Sequence, residues 1–262
     1  MSITFSEITR MLQATPPVPP VFEQTQPVAG MEGPIQNVID RIMRCQQQIA
    51  NIKTPRLVIY AARHDGDSID SLRHSIQQLG EGAHAINRLG MLCNADVRLY
   101  EMDIETVAPS LSESQAAIAI TYGLMAVEER TDILLVSTLS QKSQHVAKIL
   151  TDQLESIQTA EQALGFIAQS GATDICAALG ASFAARMAGV PVMASYYLQP
   201  ILFRMMSLLT EPDQADLFIL PSSNIRKIDE ASFDLLFELH HLQACLTLYP
   251  LKKKLTQLSM AS

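Results

Sequence analysis

From residue 56 onward the chain alternates short apolar runs with longer stretches whose apolar residues recur every three or four positions. The runs are Leu57 to Ala62, Val97 to Met102, Ile133 to Val136, Val190 to Ala194 and Leu217 to Leu220. Continuous hydrophobicity is what a strand buried on both faces requires, whereas a strand with one wet face alternates. The intervening stretches, near 68–93, 111–129, 141–168, 172–188, 196–209 and 229–247, carry helical periodicity and are long enough to act as parallel crossovers. The pattern predicts an α/β fold, a doubly wound, mainly parallel sheet flanked by helices. In such sheets the ligand crevice lies beyond the carboxyl ends of the strands, so chemistry is sought just after each run.

The N-terminal part reads differently. Phe5 to Gln13 suits a short helix, and TPPVPPVFEQTQPVAG follows it. Its prolines forbid regular helix and favour an extended path, so the segment is either a strap or a loose tail. After Gly33-Pro34 the spacing of Ile35, Val38, Ile39, Ile42, Met43 and Ile49 is again helical, with Pro34 suited to the first turn. We therefore divide the chain into a helix and Pro-rich strap over 1–34 and an α/β domain over 35–262. The apolar stretch Pro191 to Leu209 contains Pro191, Gln199, Pro200 and Arg204, which suits a buried strand and helix better than a membrane span.

Composition narrows the function. Over 262 residues, 27 acidic side chains exceed 19 basic ones, leaving a formal charge of −8. An acidic surface repels phosphate backbones, so nucleic acid is not an expected partner. The opening MSITFSEITR carries Glu7 and has no basic leader before an apolar block, which predicts a cytoplasmic protein. Cys45, Cys93, Cys176 and Cys245 are scattered and the six histidines form no HExxH, so packed thiols are expected and neither a metal nor a cofactor is.

Several strand-end loops carry candidate chemistry. After the first run, Arg63-His64-Asp65-Gly66-Asp67 crowds an imidazole, a guanidinium and two carboxylates; this suits anion binding or proton sharing, and equally a solvated Asp-Gly corner. Leu79 to Asn87, LGEGAHAIN, is a small-residue entry to a helix whose amides suit an anion or simply close packing. After the third run, Ser137 to His145 is rich in hydroxyls and holds Lys142, the groups that bind phosphate, or an ordinary serine cap. Ser195-Tyr196-Tyr197 suits an apolar pocket or plain packing. Pro221 to Lys227 is polar and basic.

In this order the segments resemble a family, the nicotinate-nucleotide:dimethylbenzimidazole phosphoribosyltransferases of cobamide lower-ligand assembly. The matching blocks begin with Gly33 to Gly66, ending IKTPRLVIYAARHDG, similar to the family's helix, Pro and strand ending Ala-Ala-Asp-His-Gly. LGEGAHAINRLGMLCNADVRLYEMDI is similar to its Gly-Gly-Ala-Ala-Ile-Asn helix and following strand. Ala160 to Leu198 resembles its Gly-Gly-x-Asp/Glu-Ile-Ala-Ala helix, small-residue helix and Ile-Pro-Val strand, and Ala215 to Leu239 the strand and helix after that.

The chain also departs from the family. Arg63 stands for the acidic residue of the first strand end and Asp65 for its glycine, with His64 retained. The phosphate turn falls on Ser137 to Gln144, where Thr138 replaces an acidic residue and Ser140 and Lys142 replace glycines. The strand-end Asp is missing from Met193 to Tyr197, a Thr-Gly-Arg-Gly-type loop is absent before residue 160, and the closing Gly-Glu-Gly-Thr-Gly, source of the family's glutamate beside the benzimidazole, has no counterpart in LTLYPLKKKLTQLSMAS. The resemblance implies a pentosyltransferase that moves ribose phosphate from nicotinate mononucleotide to a benzimidazole, giving α-ribazole phosphate. With a general base lost, activity is expected to be weak or altered. Expected roles are His64 and Asp65 in catalysis, Ser140, Lys142 and Ser143 at phosphate, and Glu81, Ser195 and Tyr196 at the base. The implied partners are nicotinate mononucleotide or a related nucleotide, an aromatic base, and a second copy of the chain through the apolar helices near 111–129 and 196–209, which internal packing would explain equally well. The alternative is a non-catalytic paralogue that binds a nucleotide or base and regulates a partner.

Overall fold

A computed structural model of the protein describes residues 4–16, 34–46, 52–140, 142–209, 219–220, 232 and 234–246. Most of the Pro-rich strap and the basic segment 221–227 lie outside the described residues. Five parallel strands form one sheet in the order β2-β1-β3-β4-β5: β1 (Pro55–Ala61), β2 (Asp96–Glu101), β3 (Ile133–Thr138), β4 (Val192–Ala194) and β5 (Ile219–Leu220). The doubly wound parallel sheet expected from the apolar runs is the one observed. β1 and β3 are buried along their whole length, as their unbroken hydrophobicity requires, while the edge strand β2 is half-buried and carries Arg98 and Glu101.

Successive side chains of a strand point to opposite faces, and this divides the core in two. Val58, Tyr60, Leu134 and Val136 pack against α1 (Phe5–Gln13), α5 (Glu113–Gly123), α6 (Lys142–Leu154), α7 (Ala160–Gln169), α8 (Thr173–Ala188) and α9 (Gln199–Leu209). Leu57, Ile59, Ile133, Leu135 and Met193 face α2 (Pro34–Gln46), α3 (Ile69–Gly80), α4 (Ala85–Leu92) and the helical segment 234–246.

Two stretches with one continuous helical pattern are each broken in space. The 68–93 stretch becomes α3 and α4, separated by a turn in which Gly82 takes φ +72° and the Ala83 amide bonds back to Gln78 O at 2.9 Å. The 141–168 stretch becomes α6 and α7. Arg204 of α9 donates to the carbonyl of Leu154 at 3.3 Å, satisfying the end of α6, and the Thr159 hydroxyl caps α7 by accepting from the Gln162 amide.

The first helix is anchored. A reciprocal Thr4–Glu7 capping box starts α1, the Phe5 amide donates to Glu113 Oε1 at 2.8 Å, and Arg186 of α8 donates to Leu12 O at 2.7 Å. No helix among the described residues is long and apolar enough to cross a membrane. None of Cys45, Cys93, Cys176 and Cys245 forms a disulfide among the described residues; burial pushes the Cys45 and Cys176 thiols up to about 12, so both are neutral.

Candidate functional site

The chain leaves β1 toward β2 on one side and β3 toward β4 on the other, so the strand order reverses between β1 and β3. A cavity of about 250 Å³ opens there, at the carboxyl ends of both strands, where open α/β sheets hold ligands. Gly66, Asp67 and Ser68 line it from the loop after β1, with Thr138 at the end of β3, Leu139 and Ser140 of the loop that follows, and Lys142 at the start of α6. Ser71 and Ser75 of α3, His84, Tyr197 and Ser232 complete much of the wall.

The starts of α3 and α6 both stand at this cavity. Ser68 caps α3 by accepting from the Ser71 amide at 3.4 Å, and the Ser140 hydroxyl accepts from the Lys142 amide at 3.0 Å. Ser140 also donates to Asp67 Oδ2 at 2.6 Å, and the same oxygen takes the His64 amide at 2.8 Å. Asp67 therefore ties the two loops together with its carboxylate already engaged. The exposed Lys142 chain crosses Gly66: a Cβ there would lie 3.4 Å from Lys142 Cε and 3.7 Å from Nζ. Hydroxyls, an ammonium and two helix starts make a lining rich in donors and suited to an anion.

Gly66 adopts φ +82°, which an L side chain takes at a cost of about 1–2 kcal/mol. Gly66→Ala is expected to lower stability by about that amount, measured by urea unfolding. A loss well below it would show that the loop adopts another backbone conformation in solution.

Beneath the loops lies a buried polar cluster. His64 Nε2 sits 3.0 Å from both oxygens of Asp174, and the Ser143 hydroxyl is 2.5 Å from Asp174 Oδ2 and 3.2 Å from His64 Nε2. Asp174 in the first turn of α8 and Ser143 of α6 have no exposed surface, and His64 is only 6% exposed. A carboxylate only accepts, so Nε2 carries the hydrogen; Ser143 donates to Asp174 and turns its lone pair to the imidazole. This is not a nucleophilic triad, in which a neutral imidazole takes the serine proton on one nitrogen and meets the carboxylate through the other. The cluster instead clamps the β1 loop, α6 and α8 together. Burial by itself pulls the His64 imidazole down and is the largest single influence, but the charge and hydrogen bond of Asp174, with Asp67 behind them, raise it above its ordinary value.

Of the residues singled out from sequence, Ser140 and Lys142 line the cavity. His64 and Ser143 lie under it and bond to Asp174. Asp65 is exposed at the Asp-Gly corner and Glu81 is exposed at the end of α3, where its Oε1 takes a hydrogen bond from Gln77 at 2.8 Å; neither lines the cavity. Ser195 is buried, and Tyr196 donates to Gln144 Oε1 at 2.8 Å on the rim. Tyr197 is the phenol in the cavity wall, its hydroxyl 2.9 Å from Thr138 Oγ1.

Sequence reasoning missed Ser68, Ser71 and Ser75 as a set, although their spacing puts Ser71 and Ser75 on one face of α3 beside its cap. It also missed His84, which caps α4 by accepting the Ile86 amide on Nδ1 at 3.3 Å. Asp174 was legible as the acidic position of the Gly-Gly-x-Asp/Glu-Ile-Ala-Ala resemblance, in the first turn of an alanine-rich helix, but not as a partner of His64. Among the described residues no cluster of His, Cys, Asp and Glu has the arrangement of a metal site.

The backbone as a whole superposes on known structures. A nicotinate-nucleotide-dimethylbenzimidazole phosphoribosyltransferase from Thermus thermophilus matches with a TM-score of 0.59 at 15% identity, over 92% of this chain and 94% of that one. The chain has the fold of that transferase. A CobT structure from the same organism matches equally broadly, with a TM-score of 0.57 at 14% identity. No protein-family model and no curated protein matches the sequence. At such identity the likeness is one of fold, and it meets the expectation raised by the collinear sequence blocks.

Proposed function

We propose that the protein is a divergent phosphoribosyltransferase-like protein that holds the sugar phosphate of nicotinate mononucleotide, or a related nucleotide, in the cavity between the ends of β1 and β3, with weak or altered transfer to an aromatic base. The observation that carries this is the lining: Lys142 and Ser140 at the start of α6 face Ser68 at the start of α3, and Ser71 and Ser75 along it, across about 250 Å³. That volume falls just below the usual small-molecule range of roughly 300–1,000 Å³ and suits the sugar-phosphate end better than a whole mononucleotide.

In this reading Lys142 and the α6 amides neutralise the phosphate, His84 and Tyr197 border the part of the ligand nearest C1′, and the His64–Asp174–Ser143 clamp positions both loops without touching substrate. Transfer to an azole nitrogen releases a proton that a carboxylate normally takes. Asp67, the carboxylate in the lining, already receives the His64 amide and the Ser140 hydroxyl. Slow turnover follows.

Titration with nicotinate mononucleotide by calorimetry is expected to show saturable binding, weakened about tenfold or more by Lys142→Ala, since a charge-assisted contact to phosphate contributes about 1.5–3 kcal/mol. Incubation with the mononucleotide and dimethylbenzimidazole is expected to yield α-ribazole phosphate slowly. Binding without product would favour the non-catalytic paralogue; absence of any binding would overturn both.

A further inference from the structure

A second cavity, of about 330 Å³, opens on the opposite layer of the sheet, past the ends of β1 and β2 and against α5 and the start of α8. We propose that it is a binding site for a small aromatic monocarboxylate, with Arg63 as the residue that selects the anion. The proposal stands apart from the function assigned to the β1/β3 cavity.

The charged groups in the lining are Arg63, Glu101 and Asp103. Asp103 is already used locally: its Oδ1 takes the amides of Glu105 and Thr106, and its Oδ2 takes the Thr106 hydroxyl at 2.5 Å. These bonds hold its carboxyl below the usual range, the Thr106 hydroxyl contributing most. It closes a turn and has little left to offer a ligand.

Arg63 is in the opposite condition. One terminal nitrogen donates to the Glu105 carbonyl at 3.3 Å, and its buried Nε–H has no hydrogen-bond partner. A guanidinium holds five donors in a planar fork matched to a carboxylate, so most of this fork is unused. The far wall carries Leu111, Ile118 and Tyr122 beside Gln115, and Ile118 and Tyr122 are half-exposed, on the side of α5 away from the buried Ala116, Ile120 and Gly123. A flat ring resting on Tyr122 would cover them. Glu101 adds an acceptor and a negative charge, which disfavours a dianion such as a phosphate monoester and favours a monoanion bearing a ring N–H. The family resembled in sequence has an acidic residue at position 63, so the guanidinium that stands beside Glu101 and Asp103 in this cavity belongs to the present chain.

Indole-3-acetate supplies the three features together and can be followed directly, because the chain has no Trp and the indole emission belongs to the probe alone. Fluorescence anisotropy is expected to show saturable binding to the full-length protein, weakened about tenfold or more by Arg63→Gln and unchanged by Lys142→Ala, whose side chain lines the other cavity. The charge-reversed amine tryptamine is expected not to compete. Tyr122→Ala, at a half-exposed position, provides a second variant if Arg63→Gln does not fold, and a severalfold loss is expected. No saturation at millimolar probe would overturn the proposal, as would an affinity indifferent to both Arg63→Gln and Tyr122→Ala. A loss caused by Lys142→Ala would overturn it too, by placing the probe between β1 and β3. Failure of nicotinate mononucleotide to bind would leave this result unaffected.

Discussion

Replacing Asp174 with alanine is expected to destabilise the protein by about 3–5 kcal/mol, the cost typical of removing one partner from a buried ion pair. The carboxylate has no exposed surface and receives hydrogen bonds from His64 Nε2, the Ser143 hydroxyl and the amide of Ile175. Without it, an imidazole 6% exposed and a fully buried hydroxyl lose their acceptor together, and neither reaches enough water to replace it. Its place in the first turn of α8 adds a favourable interaction with the helix dipole that alanine also forfeits. Urea unfolding in mildly acid buffer measures the loss.

The same pair gives a pH signature that packing alone would not. The His64 value in the folded protein lies above its ordinary 6.5, so the native state holds the proton more tightly than the unfolded chain does. That contribution to stability is fully present below about pH 6.5 and disappears as pH rises through the folded value. Asp174→Asn keeps a hydrogen-bonding group of similar shape but removes the charge. The stability difference between wild type and Asp174→Asn is therefore expected to be largest in acid and to shrink as the solution becomes alkaline. A difference constant across that range would refute protonation of the clamp.

Gly180→Val is expected to cost about 3 kcal/mol or more and to lower the melting temperature by about 10 °C. α5 and α8 cross with Gly123 against Gly180, and a Cβ on Gly180 would collide with the carbonyl oxygen of Ile120, while one on Gly123 would collide with that of Ala177. The obstacle is backbone on both sides, so no side chain can swing away to relieve it. The two helices would have to separate, opening the alanine-rich seam of Ala116, Ala119, Ala177, Ala181 and their neighbours. Gly165 of α7 is the control, since nothing lies within 4 Å of its Cβ position. There Gly→Ala is expected to stabilise by about 0.5–1 kcal/mol through helix propensity. Calorimetric melts of the two variants separate a steric effect from a general intolerance of glycine replacement.

Neither expectation was legible in the sequence with equal clarity. The glycines of α5 and α8 sit in apolar helical patterns where close approach is a natural inference, but which helix meets which is not written in either. His64 was legible as chemistry because it shares a strand-end loop with Arg63, Asp65 and Asp67. Its direction was not: the imidazole turns inward because Asp174, 110 positions away, waits in the first turn of α8. Ser143 is withdrawn from the cavity by the same carboxylate. Tyr196 and Tyr197 are adjacent and chemically alike, and only the turn after β4, in which their rings meet edge to face at 5.3 Å, decides which of them enters the wall.

What the sequence determined by itself was the class of each segment and the end of the sheet at which to look. Runs apolar on both faces need cover on both faces, which the helical crossovers supply, and a serine or threonine before a periodic stretch can start a helix by accepting from its unpaired amides. Those are local matters, decided within a few residues by burial and by unpaired amides. The tertiary structure decided the partnerships. Strand order β2-β1-β3-β4-β5 brings the loops after β1 and β3 together, seats α8 beneath them and opens a second cavity beside Arg63. Whether a polar side chain faces a ligand or a buried carboxylate depends on groups far away in the chain, and no periodicity encodes that distance.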